Sequence, residues 1–443
     1  NLMKLKSNNT YKLLIILFIV TIVGTYSFLT LSKYIKSDRT FDKIYDKYIN
    51  PYNGAWCWFA DPRAVHIKNK YDKIYFGWIT KLGGVRVGSY NLETKETEYQ
   101  NIIDNFDLDD HDNPSFLILP DDRIMLFFSK HVGKNLFSTI SKYPENIQSW
   151  EKIRTIYHNY DSKGGVTYPS PVQLSKEGNS IYLFWRGTKS QPYFSKSING
   201  KEWEKEKQLI ESKERSPYLK LVSNNRNEIH FAFTDGHPRE LLPNSIYYFK
   251  YKAGNFYSAD SKIIGSIKNL PIKPTKNFLV YHSKSLKDRS WIWDIALEND
   301  STPVLVYSVF KDSLDHRYYY SKYFHNSWIT TEITKAGKWF PQEYSAREYF
   351  YSGGIILNHN NPSEVFLSKE VNGFFEIRKY TTNDNGKTWT KQNITNKSKG
   401  NNVRPYLVSS KDNKTEFLLW LQGDYMHYTD FNTNIKFLVL QKK

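Results

Sequence analysis

Helical periodicity is hard to find after residue 50. Short apolar and aromatic runs alternate instead with clusters of Gly, Asn, Asp, Lys and Pro, the pattern of an all-β chain. One unit recurs. A Pro or small residue opens a short strand, a polar turn follows, and a second strand rich in Tyr, Phe and Leu ends on a polar residue. It reads PRAVHIKNKYDKIYFGWI from Pro62, PSFLILPDDRIMLFFSKH from Pro114, PVQLSKEGNSIYLFWRGT from Pro171 and PYLKLVSNNRNEIHFAFTDG from Pro217, and it returns from Asp294, Gly354 and Pro405. The starts are 46 to 77 residues apart. That is near the ~40–50 residues of a four-stranded propeller blade, with one long insertion in the fourth interval. Seven hairpins, each with two further outer strands, predict an all-β, seven-bladed β-propeller over residues 50–443.

Two short motifs agree. Thr382–Trp389 fits the turn pattern S/T-x-D-x-G-x-T-W, and Ser197–Trp203 is a looser copy. In such a turn the acidic side chain caps the backbone, the Gly takes a positive φ, and the Trp packs between blades. The motif marks a propeller and says nothing of its chemistry.

The first residues follow another pattern. Leu13–Leu31 is a run of 19 uncharged residues preceded by Lys4, Lys6 and Lys12. It approaches the length needed for a hydrocarbon core of ~30 Å, with its N-terminal side cytoplasmic. Residues 1–36 are therefore expected to form a signal anchor or, if cleaved, a signal peptide, with 37–49 as linker. The remainder would lie at the cell envelope on a single-pass anchor, or be secreted. A single cysteine, Cys57, excludes an intramolecular disulfide framework and any Cys-based zinc cluster. With aromatics at 16% of 443 residues, the chain can bury a large core without such staples.

Hairpin geometry gathers chemistry at one rim. The residue before each first strand and the residue after each second strand share a face of the disc. If the first strand is innermost, both border the central channel. Before first strands come Asp61, His111 with Asn113, Tyr168, Arg215, Trp293, Tyr351 and Arg404. After second strands come Thr80, His131, Arg186, His237 with Arg239, Lys311 and Asp424. His111 and His131 flank one hairpin, and Tyr168 and Arg186 flank the next. Two imidazoles, a phenol and a guanidinium suit elimination from an acidic sugar. Arg pairs the uronate carboxylate and acidifies the adjacent C–H, one of the other groups removes that proton, and another protonates the leaving oxygen. The same side chains would otherwise only satisfy loop hydrogen bonds. A metal reading of His111, Asp112, His131 and His237 has no supporting spacing.

The stretches DDHDNPSFLILPDDRIMLFFSKH, TYPSPVQLS, IYLFWRG, EIHFAFTDGHPR, WIWDIAL, DHRYYYSKY, YSGGI and NVRPYLV resemble the BNR-repeat propeller family that contains the ulvan lyases, over about residues 50–435. The resemblance implies a seven-bladed propeller and β-elimination. It implies His111 and His131 as the two histidines of the lyase site, Tyr168 as the catalytic tyrosine and Arg186 as the carboxylate-neutralising arginine. Asn113, Arg215, His237, Arg239, Trp293, Tyr351 and Arg404, together with His316 and Arg317 of DHRYYY, are the expected substrate-binding residues.

A net charge of +17 favours a polyanionic partner by long-range steering. Acidic polysaccharide is expected rather than nucleic acid, since no basic helix or aromatic RNA-reading motif is present. No cofactor is required, a structural calcium or zinc ion is not indicated, and a monomer is expected. Two other readings stay open: a non-catalytic acidic-glycan-binding propeller and, ranked lower, a sialidase-type hydrolase.

Overall fold

Each repeat folds into an antiparallel meander whose first strand faces the axis. The computed structural model describes residues 50–443 apart from 162–163, 213–214, 241, 341–348, 411 and 442–443. The expected N-terminal anchor and linker lie outside the described residues. Among the described residues no helix is long and apolar enough to cross a membrane.

The described strands form seven sheets, the blades of a seven-bladed β-propeller. In chain order they cover residues 64–103, 115–158, 164–208, 218–281, 289–337, 355–393 and 402–441. First strands of neighbouring blades meet around the axis. Second strands are almost wholly apolar because both faces are covered by neighbouring blades. Ile124–Ser129, IMLFFS, is buried at every position. The long fourth interval is an insertion, as the spacing predicts: with Asn255–Tyr257, Ile263–Ser266 and Leu279–Tyr281, blade 4 has six strands, two more than the four of a blade.

Blade 7 departs from the expected four strands, with three: Asn402–Ser409, Thr415–His427 and Asp430–Gln441. The start of the domain completes it. Gly54 N donates to Thr433 O at 2.8 Å and Ile435 N to Tyr52 O at 2.7 Å, while Ala55 exchanges two 2.9 Å bonds with Ile79 of blade 1. One segment thus pairs with the outer strand of blade 7 and ties it to blade 1. Gly54 is required there: at φ +136°, a Cβ would stand 2.1 Å from Ile79 O.

The same segment changes the picture of the axis. Residues 55–60 enter the channel that the hairpin argument left open at this rim, and all are buried. Trp58 stacks on Trp293 at 4.3 Å and donates to Ile292 O at 3.2 Å. Phe59 packs on Tyr168 and Tyr218 at 5.2 and 5.0 Å. Asn113 accepts from Cys57 N at 3.0 Å and donates to Ala60 O at 3.3 Å. The centre is an aromatic plug, because rings this large lose much apolar surface to water unless buried.

Three first strands carry bulges, and all three begin earlier than the repeat pattern shows. Blade 3 starts at Gly164 rather than Pro171, blade 5 at Arg289 rather than Asp294, and blade 7 at Asn402 rather than Pro405. The register slips around Tyr168–Pro169, at Trp293 and around Arg404–Pro405. Tyr168 and Arg404 take φ of 63° and 53°, and a Pro without an N–H follows each. These bulges re-aim Tyr168 and Arg404, which do not follow the strand alternation.

Candidate active site

Asp109 caps the short helical turn Asp110–Asp112 by accepting from His111 N at 2.9 Å. That turn delivers His111 to the rim. His131 follows the second strand of the same blade and is fixed by its backbone N–H, which donates to Asp112 Oδ1 at 2.7 Å. The two imidazoles come together as the hairpin geometry predicts. Their rings stack 3.9 Å apart and 6° from parallel. The Asp109 carboxylate bridges them, with Oδ1 2.6 Å from His111 Nδ1 and Oδ2 2.9 Å from His131 Nδ1. Tyr428 stands edge-on to both rings, at 4.7 and 5.1 Å.

Blade 3 supplies the rest. Arg186 Nη2 lies 3.3 Å from His131 Nε2. Its guanidinium covers the Tyr168 ring at 4.7 Å and the Tyr218 ring at 5.3 Å. Tyr168 is 5.4 Å from His111, ring to ring. The four residues singled out from two hairpins thus form one cluster.

The protonation states follow from this packing. Burial opposes the Asp109 carboxylate, but the two histidines outweigh it and hold its pKa well below the usual carboxylate range. Burial also opposes a charged His111, and Asp109 with Asp110 outweighs it, raising His111 well above 6.5. For His131, burial and then the His111 charge prevail over Asp109, and its pKa falls to about 4. At neutral pH the pair is one imidazolium and one neutral ring. The neutral His131 then donates from Nδ1 to Asp109 and accepts from Arg186 at Nε2.

A second buried network supports the turn from below. Asp110 accepts from Tyr425 Oη at 2.6 Å and pairs with Arg404, and Arg404 also donates to Trp56 O at 2.6 Å. Arg404 lies over the Tyr425 ring at 4.0 Å.

The expected substrate-binding residues scatter. Asn113, Trp293, Tyr351 and Arg404 are all within the sealed axial core, at 0–3% exposure. His237 lies behind Tyr218, its ring 4.4 Å from Trp291. Arg215 is met by Asp235 at 3.0 Å and Glu240 at 2.8 Å. His316 is wholly buried against Phe310, Tyr318 and Phe375, which leaves it no surface for a ligand. Arg317 pairs with Asp315 and Glu332 on the third strand of blade 5. Of this set only Arg239 is exposed on a rim loop. Asp109, Tyr218 and Tyr428 went unnoticed in the sequence. The acidic run around His111, DLDDHDN, was the available signal for Asp109; Tyr428 has none, because only ring closure brings the turn of blade 7 that carries it to the loop ahead of blade 2, where Asp110 N donates to Tyr428 O at 2.9 Å.

Ligand atoms of Asp109, His111 and His131, and of Cys57, Asp110 and His111, lie within 4.8 Å of one another. In the first group both Nδ1 atoms are spent on the Asp109 carboxylate. In the second, Arg404 pairs with Asp110 and supplies the positive charge.

The model of the BNR repeat-containing family matches residues 73–336, and the chain belongs to that family. Among solved structures it is similar to an ulvan lyase described as a new polysaccharide lyase family, PL25 (TM-score 0.67, 14% identity, 88% of this chain and 94% of that one). A structure of such a lyase bound to -[GlcA(1-4)Rha3S]- matches with TM-score 0.66, 14% identity and the same coverage. Polysaccharide lyase Uly1 matches with TM-score 0.56 and 12% identity, over 88% of this chain and 92% of that one. These likenesses concern the fold. No curated protein matches the chain.

Proposed function

We propose that the chain is a polysaccharide lyase that cleaves a uronate-containing, ulvan-like polysaccharide by β-elimination. The observation that carries the reading is the cluster itself: two stacked imidazoles, a phenol and a guanidinium within one layer of contacts. Arg186 pairs the uronate carboxylate and stabilises the enolate-like charge that grows as the C5 proton leaves. His111, His131 and Tyr168 share base and acid. One takes the C5 proton, the C4–C5 double bond forms as the C4–O bond breaks, and another protonates the leaving oxygen. The bound sugar of one similar structure, a glucuronate-containing unit, supports the substrate class. The chain's net charge of +17 favours approach by such a polymer.

The test is incubation with ulvan and other uronate polymers, read by the ultraviolet absorbance of unsaturated uronate. Absorbance should rise with the intact protein and vanish in His111→Ala, His131→Ala and Arg186→Ala. A silent intact protein on every such polymer overturns the reading.

A glycan-binding propeller without turnover is the second reading. It draws on the burial of Tyr168, Tyr218 and His111, each only 7–8% exposed. Polymer binding that survives His111→Ala and His131→Ala unchanged, with no unsaturated product from the intact protein, favours it.

A further inference from the structure

Asp109 stands at the centre of the cluster, and no motif or comparison assigns it a role. We propose that Asp109 is the positioning residue of this site: one carboxylate that takes the Nδ1–H of both stacked imidazoles, turns both Nε2 edges away from itself, and makes the two rings carry one positive charge between them. For its catalytic consequence this rests on the lyase reading; its structural content does not.

The geometry supports each part. The contacts of 2.6 and 2.9 Å use both carboxylate oxygens, one per ring, which fixes the ring flips and the tautomer of the neutral member. Asp109 cannot turn away, because Oδ1 also caps the turn through His111 N. Rings stacked at 3.9 Å repel if both are charged, while an unprotonated pair leaves a buried carboxylate without a cation.

The surroundings do not undo this balance. From the same turn, Asp110 lies 3.2 Å from His111 Nδ1, but its charge is matched by Arg404 of blade 7. Asp112, also in the turn, is pushed well up by burial and its acidic neighbours, towards the neutral acid. The N-terminal segment brings Cys57, whose thiol burial raises, so it stays neutral. Blade 3 brings Arg186, which faces Nε2 of His131 and favours its neutral form. Tyr168 faces the His111 ring at 5.4 Å, and Tyr428 stands edge-on to both rings at 4.7 and 5.1 Å. Proton abstraction needs a neutral ring and proton donation needs an imidazolium. Asp109 holds both forms side by side at one pH.

Histidine-labelled full-length protein, followed by nitrogen NMR as pH is varied, tests this without substrate. One of the stacked rings should take its proton only near pH 4, and its partner should keep its proton well above pH 6.5. In Asp109→Asn the partner's titration should fall by at least one pH unit. Turnover should drop at least tenfold with KM little changed, and the alkaline limb of the pH profile should move down. Two rings titrating together near 6.5 in the intact protein overturn the proposal, as does an Asp109→Asn protein in which both titrations stay put. If Asp109→Asn does not fold, as near-ultraviolet circular dichroism will show, the intact protein's titration decides alone. Absence of lyase activity in a protein with the split titration defeats the proposed function and leaves this inference standing.

Discussion

Arg186 shows how one side chain serves two tasks. Its guanidinium is held flat over two tyrosine rings and keeps a nitrogen 3.3 Å from His131. Lysine keeps the charge but neither stacks nor offers a planar fork. Arg186→Lys is therefore expected to lower kcat/KM on a uronate polymer by about 100-fold, the usual cost of removing one charge-stabilising donor. Steady-state kinetics check this. The stacked pair also sets a pH signature in stability. His131 has a folded pKa of about 4, below its unfolded value near 6.5. Between these values the unfolded chain binds a proton that the folded chain refuses, so stability falls as pH falls from 6.5 to 4, by up to roughly 3 kcal/mol. Asp109, held below the carboxylate range, adds a loss at still lower pH. His111, raised, works the other way: its contribution is complete below pH 6.5 and disappears as pH climbs through its folded pKa. Denaturant midpoints between pH 4 and 7 for the intact protein and His131→Ala will separate the first effect. The slope should flatten in the variant.

Among the elements, the acidic-turn hairpin illustrates what was legible and why. Thr382, Asp384, Gly386 and Trp389 are local in sequence, and the structure uses each as the pattern implies. Asp384 accepts from Thr388 N at 2.8 Å, Gly386 has φ 87°, and Trp389 packs edge-on to Tyr320 of the preceding blade at 5.3 Å. A Cβ on Gly386 would stand 2.7 Å from Thr331 Oγ1 and 2.8 Å from the Tyr320 ring. Gly386→Val should cost about 1–3 kcal/mol by adding strain and a clash, measurable as a lower thermal midpoint with catalysis intact. The hairpins that present His111 and His131 were equally legible, since twenty residues that leave and return must bring their ends together. Bulges were not. Nothing in period-two patterning marks Tyr168, Trp293 or Arg404 as the residue where a register slips, although the Pro after Tyr168 and Arg404 was a hint. Trp293 and Arg404 therefore looked like rim residues and are buried.

On the scale of the whole ring, the repeat count and the insertion in blade 4 follow from spacing alone, whereas the innermost position of the first strands was a condition of the hairpin reading that the structure meets. The plug does not, because a segment ahead of the first repeat carries no periodicity to show where it goes. AWCWFA stands ahead of Pro62, the first repeat start, and only the closed ring reveals it threading the axis. Its burial makes the centre a rigid floor for the site. Trp58 touches Trp293 and Ile292 of blade 5, and Lys220 of blade 4 donates to its carbonyl. Trp58→Ala should cost about 3–5 kcal/mol and weaken catalysis through Phe59, which packs on Trp58 and in turn on Tyr168. Thermal unfolding and single-turnover rates check the two parts.

The most direct measurement is the product itself. Digestion of ulvan by the intact protein should yield fragments ending in a C4–C5 unsaturated uronate, seen by ultraviolet absorbance and a mass lower by one water than a hydrolysis product. Fragments of the hydrated mass, or an uncut polymer under every condition tried, would contradict elimination at this site.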